Sequence, residues 1–408
     1  MRPARVIGAG LSGLAAAWHL ADRGFDVTVM ERAAVPGGLI QTRRSHHGLV
    51  ERAANAFVWD DVVADWFRRL DLTPVFPRPE SRRRYIFRDG PRRWPLSISE
   101  SLVLASRLTA AALSRSLNAT GGESMARWGE RVVGRVATRW LLEPAMQGIY
   151  AAPASELSAS VVFGGRRKGP RRLAAPPDGM GQFICRLHDR LRGRGVRFEF
   201  NADVTALDAG HPTVVATNAA AAARLLAPHT TPVAEAVAAI RMAPLVTVTS
   251  FFEPHPSDLH GFGMLFPADA GVHALGVLFP CDIFDNRGDT RAETWIVGDR
   301  DRRLTAWSDV ELRAILAADR HRVTGRHAHP LATYITRWPQ AIPVYDDAVR
   351  RVMDAQKMLP AWLALAGNYL GAIGVAALLR HAAAAADRLA SPWPSEGYRR
   401  NPHAIPGH

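Results

Sequence analysis

Residues 5–32 read RVIGAGLSGLAAAWHLADRGFDVTVMER, and their periodicity decides the fold. Residues 4 to 8 predict a short buried strand, Leu11 to Arg23 a helix, and Asp26 to Met30 a second strand ending at Glu31. This is a βαβ opening with Gly8, Gly10 and Gly13 at its first turn. The first glycine permits the tight turn, the second lets backbone approach a pyrophosphate, and the third lets helix pack on strand. The helix amino terminus then attracts the phosphate charge. An acid at Glu31, rather than a basic residue, suits a ribose with both hydroxyls free and favours FAD or NAD over NADP. The expected fold class is α/β, with a Rossmann-type, doubly wound dinucleotide domain.

The chain has 408 residues, 48% of them hydrophobic, enough for a substantial core and for two interleaved domains. Lys and Arg number 51 against 38 Asp and Glu, a net charge of +13, which implies an acidic partner: nucleic acid, an anionic membrane face or a carboxylate-bearing substrate. Nucleic acid is disfavoured, because the basic stretch 164–172 lacks interleaved aromatics and no binding module is visible. Cys185 and Cys281 stand far apart with neither a CxxC nor a histidine pairing, so no disulfide framework or zinc site is indicated. The histidines of SHHG (45–48) and RHAHP (326–330) lack a supporting carboxylate or cysteine pattern, and no metal is assigned. The glycine turn lies within ten residues of Met1 and no run matches a spanning helix. A cytoplasmic setting is therefore expected, with any membrane contact peripheral.

Further along, residues 61–72 predict a helix, and RYIFRDGPRRWPL (84–96) a hairpin. Residues 98–147 predict helical stretches interrupted at NATGGES, and Gly181 to Arg194 another helix. VRFEFNADVTAL and PTVVATNAAAAARLL predict a strand pair followed by a helix. Residues 245–253, 272–279 and 293–298 predict strands of a distinct antiparallel sheet. The segment from Trp362 to Ala390 predicts a strand, a glycine-rich turn and a long Ala-rich helix. The Pro-rich stretch 391–408 is expected to be a loosely ordered tail.

Beyond the ribose acid come PGGLIQT (36–42) and HHGLVERAANAF (46–57). Together with EPAMQGIYAAPASELSA (143–159), PDGMGQF (177–183), GFGMLFP (261–267), LGVLF (275–279), FDNR (284–287), TRWPQAIPVY (336–345) and LAGNYLGAIGV (365–375), these blocks resemble the flavoprotein amine oxidase superfamily. Within it, they are similar to the oxygen-dependent protoporphyrinogen and coproporphyrinogen oxidases. The blocks occur in the family's order and span nearly the whole chain. Departures are Leu39 where Lys or Arg is usual, Ala53 and Ala54 in place of Gly-Pro, and the apolar AALLRHAAAA after Val375.

The resemblance implies FAD as cofactor and a discontinuous FAD domain (1–75, 175–228 and 350–390). It also implies a mixed-sheet α+β substrate domain (76–97 and 229–349) with a helical insertion (98–174) that rests on an anionic membrane surface. The cofactor-binding residues it implies are Gly8, Ala9, Gly10, Leu11, Ser12, Gly13, Glu31, Arg32, Gly37, Gly38, Leu39, Ala54, Asn55, Val204, Trp338, Gly367, Asn368, Ile373, Gly374 and Val375. The implied reaction is oxidation of a porphyrinogen to a porphyrin at the flavin, with O2 as acceptor and no catalytic triad. Arg84, just before the aromatic of RRRYIF, takes the position of a propionate-binding arginine, and Phe262, Leu265 and Phe279 are candidate apolar walls for the macrocycle. Protoporphyrinogen IX is the expected substrate. Coproporphyrinogen III, another amine-oxidase or desaturase-type reaction, a flavin-binding homologue without turnover and a homodimer all remain open.

Overall fold

The computed structural model describes residues 2–164, 172–298, 302–371 and 373–391, the side chains of Arg302 and Leu304 apart. All but the edges of the basic stretch 164–172 and of the tail 391–408 lie outside these residues.

The opening unit forms as its periodicity predicts: strand β1 (Arg2–Ile7), helix α1 (Leu11–Asp22) and strand β2 (Phe25–Glu31). Nine of the twelve residues of α1 are buried, among them Leu14, Ala15, Ala16 and Ala17, as expected of a helix that is apolar on every face. It packs against the helix Val375–Ala390, whose Ala376, Ala382, Ala385 and Ala386 are buried in the same cluster. Small side chains on both surfaces let the two backbones approach closely.

β1 and β2 sit inside a five-stranded sheet with Arg197–Phe200 beyond β2, Thr213–Val215 beyond β1 and Leu363–Leu365 at the far edge. Every pairing is parallel. Numbered along the chain within this sheet, the strand order is 3-2-1-4-5, the doubly wound arrangement whose switch point lies between strands 1 and 4. Arg197–Phe200 and Thr213–Val215 are therefore not the pair that their proximity in sequence predicts. β1 and β2 separate them, because parallel neighbours are joined by crossovers rather than tight turns.

The second sheet has seven strands in the order Ala332–Pro343, Met242–Phe252, Arg291–Val297, Gly276–Leu278, Gly263–Leu265, Arg84–Phe87, Pro91–Arg92. It is mixed. The pair Gly263–Leu265 and Arg84–Phe87 is parallel and the other pairings are antiparallel. The expected hairpin at 84–96 is present, whereas the twelve-residue strand Ala332–Pro343 was not foreseen. Its register against Met242–Phe252 jumps between Ala243 opposite Ile342 and Leu245 opposite Trp338. Pro244 and Pro339 lie in that interval and have no N–H to give a ladder, so the interruption is dictated by the sequence.

Between the hairpin and the return to the first sheet lie the helices Ile98–Leu113, Met125–Val132 and Glu143–Tyr150. Ile98–Leu113 opens with a full capping box between Ser97 and Glu100.

Candidate active site

The site begins at the switch point. Gly8 has φ +104°, and a Cβ there would stand 2.7 Å from the Ala216 carbonyl oxygen, just past the fourth strand of the parallel sheet. A Cβ on Gly13 would stand 1.9 Å from the Gly8 oxygen. Gly10 differs. Its Cβ would meet nothing nearer than the Gly38 Cα at 4.0 Å, so backbone is bare there and open to a ligand. Gly37 (φ +127°) donates its N–H to the Ala9 carbonyl at 2.9 Å and places Gly38 against Gly10. Glu31 accepts the Ala9 N–H at 2.7 Å and the Ala33 N–H at 2.8 Å, which fixes its carboxylate at the end of β2. Arg32 is exposed beside it, and Leu39 is half-buried.

Two helix starts face this region without a capping side chain or an acid in their first turn: α1 after Gly10, and Val375–Ala390 after Gly374. Elsewhere Asp60, Ser97, Ser124, Asn218, Ser308 and Asp346 each cap the helix that follows. Orphan N–H groups at uncapped starts are the natural partners of an anionic ligand. The residues thus fit a dinucleotide: bare backbone at Gly10, uncapped helix starts and an acid, Glu31, at the carboxyl end of the neighbouring strand.

From Gly38 the chain leads to a second cluster. Arg52 donates its backbone N–H to the Gln41 carbonyl at 2.9 Å. The Arg52 carbonyl in turn accepts the Trp338 Nε1–H at 2.8 Å and the Thr247 hydroxyl at 2.8 Å. Trp338 borders the interrupted ladder, and Ala341 within that interruption accepts the Asn368 amide at 3.2 Å. The Asn368 carbonyl accepts the Tyr345 hydroxyl at 2.6 Å. Gly367 is needed because a Cβ there would stand 2.7 Å from the Tyr369 ring. Ala54 and Asn55 lie half-buried in the loop after Arg52, where the Asn55 amide closes on the Ala53 carbonyl at 2.9 Å. Val204 and Ile373 pack half-buried on the second core cluster. Blocks 37–41, 52–55, 338–345 and 367–375 therefore meet, although nearly the whole chain separates them in sequence.

A buried clasp holds this ribbon in place. Glu51 accepts the Thr42 hydroxyl at 2.6 Å and the Met180 N–H at 2.8 Å, while Thr42 accepts the Gly181 N–H at 2.7 Å. Burial pushes the Glu51 carboxyl above its ordinary range, against the opposing pull of those bonds and of the Arg287 charge.

The substrate candidates separate into two groups. Arg84 is exposed, and its guanidinium carbon lies 4.6 Å from the Phe262 ring centroid. Leu265 ends the short strand Gly263–Leu265 that follows Phe262, and a Cβ on Gly148 would come 2.6 Å from it. Phe279 is buried beneath Arg291, whose guanidinium carbon is 4.0 Å from its ring centroid. Arg291 also donates to Asp282 at 2.9 Å and to the Leu259 carbonyl at 2.8 Å, and Asp282 accepts the Gly261 N–H at 3.0 Å. Asp282 and Arg291 thus pin the loop that presents Phe262. The sequence reading passed over Arg52, Glu51 as a clasp, Asp282 and Arg291. The only signal for Asp282 was a charge among the apolar residues 278–284, and Arg52 and Arg291, in stretches already charged, carried none.

The family described as "Flavin containing amine oxidoreductase" matches residues 11–372. The chain is 27% identical to a coproporphyrinogen III oxidase of Propionibacterium freudenreichii, over 94% of this chain and 90% of that protein. It is 25% identical to protoporphyrinogen oxidase 2 of Arabidopsis thaliana, over 95% of this chain and 93% of that one. Among solved structures, a chain from Exiguobacterium provisionally named a protoporphyrinogen oxidase superposes with a TM-score of 0.83 at 17% identity, covering 95% of this chain and 98% of that one.

Proposed function

This chain belongs to the flavin containing amine oxidoreductase family, and within that family we propose that it oxidises protoporphyrinogen IX to protoporphyrin IX, with O2 as acceptor, in haem biosynthesis. FAD is its cofactor and supplies the hydride acceptor. The observation that carries the substrate assignment is Arg84 lying across Phe262: a cation and an aromatic ring held together, as a macrocycle of pyrrole rings bearing propionates requires. The guanidinium fork engages a propionate with two parallel hydrogen bonds. Phe262 bears on the ring edge, while Asp282 and Arg291 hold its loop still. The uncapped start of Val375–Ala390 would offer backbone N–H groups to the negative charge that a flavin held there gains on reduction.

Coproporphyrinogen III is the second reading, favoured by the P. freudenreichii relative, which is named for that substrate. Steady-state oxidation of both porphyrinogens by the flavin-loaded protein tests the choice. A higher kcat/KM for protoporphyrinogen IX is expected, and the reverse order assigns the other substrate.

We also propose that the helix Ile98–Leu113 lies on an anionic membrane. Ile98 is 84% exposed, Leu113 82% and Leu102 67%, while among the residues of this helix Ala111 alone is buried. Among the described residues no helix is long and apolar enough to cross a bilayer, so the contact is interfacial, with exposed Arg92, Arg93 and Arg115 at the two ends. Sedimentation with phosphatidylglycerol vesicles, lost in Leu102→Asp, is the expected result. A concentration-dependent dimer with no vesicle binding would assign the face to a second copy instead.

A further inference from the structure

We propose that Arg52 is the residue that sets the electron affinity of the flavin, by placing a positive charge beside the ring system. The inference rests on the flavin assignment alone and not on the choice of porphyrinogen.

Arg52 stands where the glycine loop, the interrupted ladder and the ribbon Thr42–Ser45/Gly48–Glu51 converge. Its guanidinium touches the Gln41 side-chain oxygen and lies 5.3 Å from the Trp338 ring centroid. Gln41 donates in turn to the Gly38 carbonyl at 2.9 Å. Among the described residues no carboxylate comes within salt-bridge distance of it, whereas the half-buried Arg88 and the exposed Arg131 each grip a glutamate. The loop Gly37–Thr42 carries no cation of its own. A half-buried guanidinium neutralised by no carboxylate is costly unless something negative completes it.

The geometry also indicates which part of the cofactor that is. Gly10 and Gly38 mark the pyrophosphate end of the cradle. Gln41 lies three residues further on, and Arg52, bonded to the Gln41 carbonyl, carries the path from there to Trp338. A cofactor held at Gly10 and Gly38 and following that path would bring its ring portion past Arg52. Flavin gains negative charge on two-electron reduction, and a fixed cation favours that form. Planarity, the Gln41 acceptor and the Trp338 face hold the charge in one orientation.

The test needs no porphyrinogen. Sulfite forms a reversible anionic adduct with oxidised flavin, so its dissociation constant and the reduction potential both report positive charge near the ring. Arg52→Gln should retain FAD, weaken sulfite binding by about tenfold or more and lower the potential. Arg52→Lys should stay near the parent value in both. Should Arg52→Gln fail to fold or load, Gln41→Glu carries the test: an isosteric carboxylate against the guanidinium neutralises it and should weaken sulfite binding similarly. Unchanged sulfite affinity and potential in the loaded variants overturn the proposal. So does loss of FAD affinity with an unshifted potential, which would place Arg52 on the pyrophosphate. A protein that shows these shifts yet oxidises neither porphyrinogen leaves the proposal standing and removes only the substrate assignment.

Discussion

The two sheets solve opposite problems. The parallel sheet makes a site by leaving things out: Gly8, Gly10, Gly13, Gly37 and Gly38 remove side chains, and two helix starts forgo their caps. The mixed sheet makes a site by putting polar groups where they are expensive. Glu293, Arg320 and Arg291 are buried within or against it, Arg320 reaching the two Glu293 oxygens at 3.0 and 3.2 Å and the Trp295 Nε1–H reaching one of them at 3.2 Å. Asp319 is buried nearby and receives the His273 N–H at 2.9 Å. The first arrangement offers backbone to a cofactor. The second fixes loops at a sheet edge, where Arg84 and Phe262 are displayed.

Substitutions separate the two strategies. Gly13→Ala should be the most damaging, because its Cβ would overlap the Gly8 oxygen inside the core. We expect loss of more than about 4 kcal/mol and of bound flavin, read from denaturant unfolding and the visible absorption band. A stable, flavin-loaded Gly13→Ala protein would break the account of the parallel sheet.

Next in size is Arg320→Met, which leaves the buried Glu293 carboxylate only the Trp295 Nε1–H and the more distant Arg291 Nε at 3.8 Å. Removing one partner of a buried pair costs about 3–5 kcal/mol. Adding Glu293→Gln, which keeps an acceptor for Trp295, should recover most of that loss in chemical denaturation. No recovery would show that the network acts otherwise than as a charge pair.

Glu51 gives a smaller, pH-dependent effect at the seam between the sheets. Its folded pKa is raised above 4.5 by burial. Between 4.5 and that higher value the native state holds more protons than the unfolded chain, so this contribution to stability is full below pH 4.5 and falls as pH rises through the window. Glu51→Gln should remove that decline from a plot of unfolding free energy against pH. An unaltered slope would mean that the carboxyl is not held up.

Smallest in its effect on the fold is Arg84→Ala, since Arg84 is exposed and its contact is with one ring. Melting temperature and flavin content should not move. The KM for a porphyrinogen should rise about tenfold, the worth of one charge-assisted contact. An unchanged KM would take Arg84 out of the substrate site.

The comparison also explains what was legible in the sequence. Gly8, Gly10, Gly13 and Glu31 act through local backbone, so their pattern survives in the linear order of residues. The edges of β1, α1 and β2 were foreseen to within a residue or two for the same reason. Strand order was not, since Arg197–Phe200 and Thr213–Val215 are close in sequence and are separated by two strands in the sheet. Strand Ala332–Pro343 was hidden by its internal proline, although its motif was recognised. Arg52 escaped notice because the residue that orients its carbonyl, Trp338, lies 286 positions away. Arg84 and Phe262 were chosen singly from their motifs, and only the parallel pairing of their strands brings them together.

That this FAD cradle serves porphyrinogen oxidation is the proposal on which the substrate roles of Arg84 and Phe262 depend. It is tested most directly by mixing the purified, flavin-loaded protein in air with protoporphyrinogen IX and, separately, coproporphyrinogen III, and following porphyrin fluorescence. The account predicts fluorescence growing well above the spontaneous rate with at least one of them, and falling to that rate once the flavin is stripped. A flavin-loaded protein that leaves both at the spontaneous rate would contradict it.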